Sequence, residues 1–276
     1  MTKYSFILMT EEKEGFLEQL QELGVVDISR SVKPVDQDSS EMFAKATRAK
    51  KAIEFLESIN YSKDADAEAV SKATVNVEGD PVDFVEECRN RLAELNTAFA
   101  GTERQMKSRL PWGDYDKAAI DGLADLGYAV RYYCVDSKRF EASWAELYPL
   151  QVVSEEGGKV WFVTVFPKEY SFPVQETQAP EGTYAAAAED AARIKAEIVA
   201  CKAGLLNAKD YIPAIKETCN KDLVVLDRYL AYEAGQGAAE DYITVFTGFA
   251  PTDNEAELTE AFDKMGVFYI KEDAVE

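Results

Sequence analysis

The sequence predicts an α+β protein in which two small α/β lobes are joined by a long antiparallel helical coiled-coil stalk. Three observations indicate this fold: a β-α-β pattern at both chain ends, long apolar runs at coiled-coil spacing between them, and a group of strand patterns in mid-chain. We place the proximal lobe at 1–35 and 237–276, the stalk at 36–110 and 181–236, and the distal lobe at 111–180.

The two chain ends carry the same pattern. The hexad LGVVDI at 23–28 matches MGVFYI at 265–270, and the same offset aligns Phe16 with Leu258. Each copy predicts an apolar strand, a helix that ends at a glycine, and a second strand. One such unit alone would leave an apolar sheet face in water. We therefore expect the two copies to form a single ferredoxin-like lobe built from both ends of the chain.

Apolar residues at alternating spacings of three and four predict paired helices between the lobes. Two helices, at roughly 40–60 and 82–109, precede one long helix at 184–233. At about 1.5 Å per residue, the first two total about 73 Å and the third spans about 75 Å, which favours an antiparallel rod over a compact bundle. The predicted stalk seam contains Val85, Leu92, Leu95, Phe99, Ile198, Leu205 and Ile212.

Pro213 lies inside the long third helix and is predicted to kink it, because proline lacks the backbone N–H that the helix needs. We interpret this kink as a hinge. Residues 61–80, between the first two helices, are polar and lack apolar periodicity in their first half. They are predicted to form an exposed connection.

The predicted distal lobe contains a strand, a further helix and a β-hairpin with Glu-Glu-Gly-Gly at its turn. Tyr133 and Phe162 have opposite strand parity to Tyr132 and Trp161, so the two sets should face opposite sides of the sheet. Most of these aromatic residues are interpreted as core. Tyr133, Phe162 and Phe166 are the candidates for contact with a partner protein.

Composition excludes several classes of function. With 51 acidic against 30 basic residues, the net charge of −21 disfavours direct binding to nucleic acid or to anionic lipid. Histidine is absent, and the chain has no glycine-rich phosphate loop, no GxSxG motif and no metal-ligand spacing. We therefore predict a protein that is not an enzyme, with no catalytic, cofactor or metal site.

The cysteines and the hydropathy of the chain indicate its compartment. The four cysteines form no CxxC pair and are interpreted as buried reduced thiols rather than as disulfides or metal ligands. No stretch approaches the roughly 18 apolar residues of a membrane span. The chain is therefore predicted to be cytoplasmic.

Several stretches resemble a known family. The opening KYSFILMTEEKEGFLEQLQELGVVDI, the heptad LPWGDYD at 110–116 and the later ITVFTGFAPTDNEAELTEAF are similar to the N-terminal cytoplasmic half of V-type ATPase subunit I, called subunit a in eukaryotes. The resemblance spans nearly the whole chain. LPWGDYD and the GFAP turn are its most specific parts, and Phe249 stands where the family more often has tryptophan.

The resemblance implies a non-catalytic stator arm that resists torque in a rotary ATPase coupled to proton or sodium transport. The distal lobe would bind peripheral stalks of E and G subunits, and the proximal lobe would lie near the membrane and a rotor-adjacent subunit. A membrane-spanning half would follow Glu276 in the full-length protein. This chain would then lie in the cytoplasm, at the inner face of the membrane.

Two alternatives share part of the pattern. An ACT-like ligand-sensing regulatory protein also uses βαβ repeats with a glycine after the helix, and would be distinguished by a ligand-sized pocket at a lobe interface. A soluble coiled-coil scaffold would share the seam, but it would not need two folded lobes.

Overall fold

The computed structural model of the chain describes residues 1–170, 172–240 and 242–273. Its helices and two antiparallel sheets confirm the α+β class. The chain divides into two compact units: unit 1 is Met1–Ile59, Asp80–Val82 and Ala208–Glu276, and unit 2 is Asn60–Gly79 and Asp83–Asn207. Each unit contains part of the predicted stalk, and the three-part domain boundaries stay a prediction.

Both ends of the chain contribute to the sheet of unit 1. Its strands are β1 (Thr2–Met9), β2 (Asp27–Ile28), β6 (Gln236–Ala238), β7 (Ile243–Ala250) and β8 (Phe268–Asp273). The order is β2-β7-β1-β8, with β6 also paired to β7, and every pairing is antiparallel. Strand β1 therefore lies between two strands from the other end of the chain, as the repeated pattern predicts.

Helices α1 (Lys13–Leu23) and α9 (Glu255–Met265) pack on one face of this sheet. Each helix ends at a glycine with a left-handed backbone, Gly24 at φ 65° and Gly266 at φ 68°. Equivalent positions of the repeat are buried in the same core. That core contains Tyr4, Phe6, Leu8, Phe16, Leu17, Leu20, Ile28, Phe246, Ala250, Leu258 and Phe262.

Unit 1 also contains the helix pair α2 (Gln37–Ser58) and α8 (Ile212–Glu233). Asp36 caps α2 by accepting a hydrogen bond from the Ser39 N–H at 2.8 Å. The Tyr229 hydroxyl of α8 donates to the other oxygen of Asp36 at 2.7 Å, which raises the pKa of Tyr229 to about 12. One aspartate therefore both starts α2 and binds its partner helix.

Unit 2 contains α3 (Ala67–Lys72) and nearly all of α4 (Pro81–Arg109) and α7 (Tyr184–Ala208). The helices α4 and α7 pack through Leu95, Ile194 and Ile198. The segment before α4 is not simply an exposed connection, so that prediction is wrong in part. Val70 of α3 is buried. The Lys202 ammonium of α7 lies 2.7 Å from Asp64 and 3.0 Å from Asp66.

The ion pairs of Lys202 give a test of this packing. Replacing Lys202 with methionine should lower the free energy of unfolding by about 1–3 kcal/mol, because both aspartates lose their charged hydrogen-bond partner. Urea denaturation measures this. Lys72→Met is the matched control, since its pair with Glu68 is solvent-exposed and worth at most about 0.5 kcal/mol. Equal losses in the two variants would contradict the structural role of Lys202.

The second sheet, also in unit 2, comprises β3 (Tyr128–Asp136), β4 (Leu150–Glu156) and β5 (Lys159–Pro167) in the order β3-β5-β4. Strands β4 and β5 form the predicted hairpin. Its two turn residues, Gly157 and Gly158, have φ values of 58° and 75°, which suit a two-residue hairpin turn because glycine adopts positive φ angles without strain. The short helix α5 (Lys117–Asp125) precedes β3, and the short helix α6 (Ser143–Leu147) lies between β3 and β4 in the chain.

Candidate functional site

The three residues proposed as partner contacts are buried. Tyr133, Phe162 and Phe166 are 1%, 0% and 5% exposed. They form the core of the second sheet, where Trp144 and Phe172 pack against them. The prediction that they contact a partner is therefore wrong, because the chain after β5 and the helix before β4 cover this face.

The opposite face of the same sheet is covered less completely. Tyr132 is shielded by Trp112, whose ring stands nearly perpendicular at a centroid distance of 5.3 Å. Trp161 and Val163, which neighbour Tyr132 on this face, are only half-buried. The two aromatic sets therefore lie on opposite faces of the sheet, as strand parity predicts. The predicted partner contacts all belong to the buried set.

Exposed apolar residues gather at one end of this sheet. Tyr128 starts β3 and pairs with Pro167 at the end of β5. The Tyr170 ring stacks on Phe166 at a centroid distance of 4.2 Å. The ring of Tyr148 meets the same Phe166 edge-on. We define the sheet-end patch as the exposed residues at this end: Leu126, Tyr128, Leu147 and Tyr170.

The residues of the sheet-end patch are largely exposed. Leu126 and Leu147 are 74% and 70% exposed, and Tyr128 and Tyr170 are 44% and 41% exposed. Soluble proteins seldom leave large apolar side chains grouped in water unless another surface covers them. Tyrosine also suits an interface, because its ring is apolar and its hydroxyl bonds to polar groups at the rim.

The seam residues predicted for the stalk lie on helices that pair within each unit. Leu92, Leu95 and Phe99 of α4 meet Ile198 of α7 in one apolar cluster. The buried seam residues are Val85, Leu95, Ile198 and Leu205, and the half-buried ones are Leu92, Phe99 and Ile212. A continuous stalk stays a prediction.

The long third helix is interrupted near Pro213. Helix α7 ends at Ala208, residues Lys209–Tyr211 form a 3-10 turn, and Pro213 lies in the first turn of α8. Proline fits there because the first turn of a helix does not use that backbone N–H. The Lys209 ammonium donates to the Ile59 carbonyl at 2.7 Å, close to the end of α2. Motion about this break stays a prediction.

A groove of about 390 Å³ in unit 1 lies where α1, β2 and α8 meet. Its size would suit the ligand of an ACT-like sensor. However, its charged side chains are already paired: Arg30 lies 2.6 Å from Asp27 and 3.3 Å from Asp227. Arg228 pairs with two glutamates of α1. A free amino acid would have to displace these pairs, so the groove does not favour that alternative.

The described residues contain no cluster that could bind a metal ion. No group of three or more acidic, cysteine or histidine residues in 1–170, 172–240 and 242–273 could hold a metal ion. All four cysteines are free, but only Cys219 is buried, so the prediction of burial is wrong for Cys88, Cys134 and Cys201. Partial burial, with Cys201 nearby, raises the pKa of Cys88 to about 11, which keeps this thiol protonated at neutral pH.

No described helix combines the length and hydropathy needed to cross a bilayer. This agrees with the absence of long apolar runs noted in the sequence.

Comparisons with known proteins find similarity among solved structures. No protein-family model matches the chain, and no curated protein sequence matches it significantly. The chain is similar to a solved structure described as the crystal structure of the cytoplasmic N-terminal domain of subunit I, homolog of subunit a, of V-ATPase. The match covers 99% of this chain and 100% of that chain, with 17% sequence identity and a TM-score of 0.24. At this TM-score it assigns no role to any residue.

Proposed function

We propose that the chain is the cytoplasmic stator arm of a rotary V-type ATPase. It links the membrane part of the motor to peripheral stalks of E and G subunits and resists torque while ATP turnover is coupled to proton or sodium transport. The arm performs no chemistry itself. The sequence resemblance in LPWGDYD and in the GFAP turn supports this proposal.

One observation carries the proposal: the residues of LPWGDYD tie the end of α4 to the start of α7. The backbone N–H of Tyr184 donates to the Gly113 carbonyl at 3.2 Å. Asp114 accepts from the Ala185 N–H at 2.7 Å, in the first turn of α7. The Tyr115 hydroxyl donates to the Pro180 carbonyl at 3.1 Å.

The contacts of this heptad suit a joint that transmits force between helices. The heptad follows α4 directly in the chain and its hydrogen bonds hold the start of α7, so that a force on one helix is passed to the other. The last residue of the heptad, Asp116, caps α5 by accepting from the Ala118 N–H at 2.9 Å. The heptad thereby also connects the helix pair to the lobe that bears the sheet-end patch.

In this proposal the sheet-end patch binds the paired E and G helices. The lobe built from both chain ends, whose strand order supports a ferredoxin-like assignment, lies near the membrane and a rotor-adjacent subunit. A rotary motor works only if its catalytic head is prevented from turning with the rotor. The break before Pro213 gives the arm a hinge at which it yields elastically under load.

The proposal is tested by the coupling of a V-type complex that contains the full-length polypeptide. Leu126→Ser together with Leu147→Ser should leave ATP hydrolysis by the complex intact but abolish ATP-driven ion uptake into vesicles, because the head is no longer held. Val153→Ser, also at an exposed apolar position of the second sheet, is the control. Unchanged ion uptake in the double variant would overturn the assignment of the patch as the stalk contact.

A further inference from the structure

Helix α8 exposes two adjacent valines in unit 1. Four apolar residues follow one another at 223–226, and Leu226 faces the core at 4% exposure. Val224 and Val225 are 50% and 55% exposed. A β-branched residue lowers helix propensity, so an exposed valine helps neither the helix nor the core. Exposed apolar residues of this kind are typical of a surface that a partner covers.

The two valines line two grooves that meet. Val224 lines the groove of about 390 Å³, and Val225 lines a second groove of about 490 Å³ between α1 and α8. Leu17 and Arg228 line both, so the two grooves adjoin. Tyr232, which is 39% exposed, extends the second groove along α8. We define the α1/α8 groove by these five residues.

The rim of the α1/α8 groove is acidic. It has three basic residues: Arg30 pairs with Asp27 and Asp227, Arg228 pairs with glutamates of α1, and the Lys13 ammonium lies 3.6 Å from the centre of the Tyr232 ring. Carboxylates outnumber bases at this rim. They are Glu14, Glu18, Asp27, Asp227 and Glu233. The surface therefore attracts a cationic partner in addition to offering it apolar contact.

We propose that the α1/α8 groove binds an amphipathic helix of a partner protein that carries lysine or arginine beside an apolar stripe. The stripe covers Val224 and Val225. The basic side chains approach the paired carboxylates of the rim from the solvent side without displacing Arg30 or Arg228, because the side chains of Glu14, Glu18, Asp27 and Asp227 are 53–79% exposed. Two helices already form the groove, so a third helix completes a three-helix packing arrangement. This binding surface is distinct from the sheet-end patch and does not depend on the proposed function.

Three synthetic peptides of about 18 residues, or five helical turns, test the proposal. The first carries leucines in one helical stripe flanked by lysines. The second has the same composition with the leucines distributed around the helix, and the third keeps the stripe but replaces lysine with glutamate. Fluorescence anisotropy with the 276-residue chain should show that the first peptide binds at least about tenfold more tightly than the other two.

Paired valine substitutions locate the binding. Val224→Ser with Val225→Ser should weaken binding of the first peptide by at least about tenfold, while changing no charge. The matched control is Val32→Ser with Val153→Ser, at positions 92% and 40% exposed elsewhere on the chain. It should bind the peptide like the unaltered chain. Thermal unfolding checks that both double variants fold.

The outcomes separate the proposal from simple charge attraction. Equal binding of the striped and distributed peptides would show that only the net charge of the chain attracts them, and would overturn the proposal. Equal weakening by the two double variants, or no binding of the striped peptide, would also overturn it. Glu14→Gln with Glu233→Gln should reduce the salt dependence of binding, whereas unchanged salt dependence would remove the acidic rim from the account.

Discussion

Replacing Phe6 or Phe262 with alanine should lower the free energy of unfolding of unit 1 by about 3–5 kcal/mol each. Both rings are fully buried, and their centroids lie 5.0 Å apart in an edge-to-face arrangement. Phe6 comes from the first strand of the chain and Phe262 from its last helix, so both variants damage the same core. Urea denaturation of the two single variants and the double variant measures the losses.

The double variant tests whether the chain ends form one core. Because the rings touch, we expect a coupling energy of about 0.5–1.5 kcal/mol between the two substitutions. Phe43→Ala is the control, since Phe43 is 44% exposed on α2 and its loss should cost much less. Strictly additive effects of the two core substitutions would mean that the ends do not pack together as described.

Substituting the sheet-end patch should produce the second large effect, on binding rather than on stability. Leu126→Ser, Leu147→Ser and Tyr170→Ser together are expected to weaken binding to a purified E–G heterodimer by about 100-fold or more, if each residue contributes roughly 1–2 kcal/mol as interface anchors do. Isothermal titration calorimetry measures the affinity.

Stability measurements check whether the substitutions unfold the lobe that bears the sheet-end patch. Leu126 and Leu147 are largely in water, so serine there should change the free energy of unfolding by less than about 1 kcal/mol. Tyr170 stacks on Phe166 and accounts for most of any loss. If the triple variant stays folded and binds the heterodimer with unaltered affinity, the stalk does not dock on this patch.

The lobe formed by the two chain ends could be predicted because its signals are local and repeated. Each copy contains a strand, a helix with apolar residues such as Phe16 or Leu258, and a glycine at the helix end. Neither copy can bury its sheet alone, so their meeting follows from the hydrophobic effect.

The face of the second sheet that is covered could not be predicted, because distant segments decide it. Strand alternation separates Tyr133 and Phe162 from Tyr132 and Trp161 but does not say which set is outside. Phe172 covers the first set, and Trp112, in the 3-10 turn after α4, covers part of the second. Both lie outside the strands, where no periodic pattern records their contacts.

Leu147 is exposed because its helix ends there, and Val224 and Val225 are exposed because one helix face cannot bury a whole apolar run. Helical spacing groups Leu147 with the core residue Trp144, but α6 is only five residues long and ends at Leu147, which is left in water. The apolar run at 223–226 is typical of a helix seam, but only some of four consecutive helical residues can face one neighbouring helix. Val224 and Val225 therefore remain on the surface.

The packing of the connection at 61–80 is hard to predict, because it depends on one apolar residue and on a partner far along the chain. Its polar composition indicates exposure, whereas Val70 is buried and Lys202 binds Asp64 and Asp66 from more than 100 residues away. A lone valine and two aspartates carry no helical or strand period that would reveal such contacts.

Titration of this chain with purified E–G heterodimer, by calorimetry at several salt concentrations, tests the stator-arm account most directly. The account predicts saturable one-to-one binding that weakens as salt rises from about 50 mM to about 500 mM, because the acidic chain meets basic patches on the stalk. Absence of binding at low salt would contradict the stator role. Binding that is independent of salt would contradict the electrostatic part of the account.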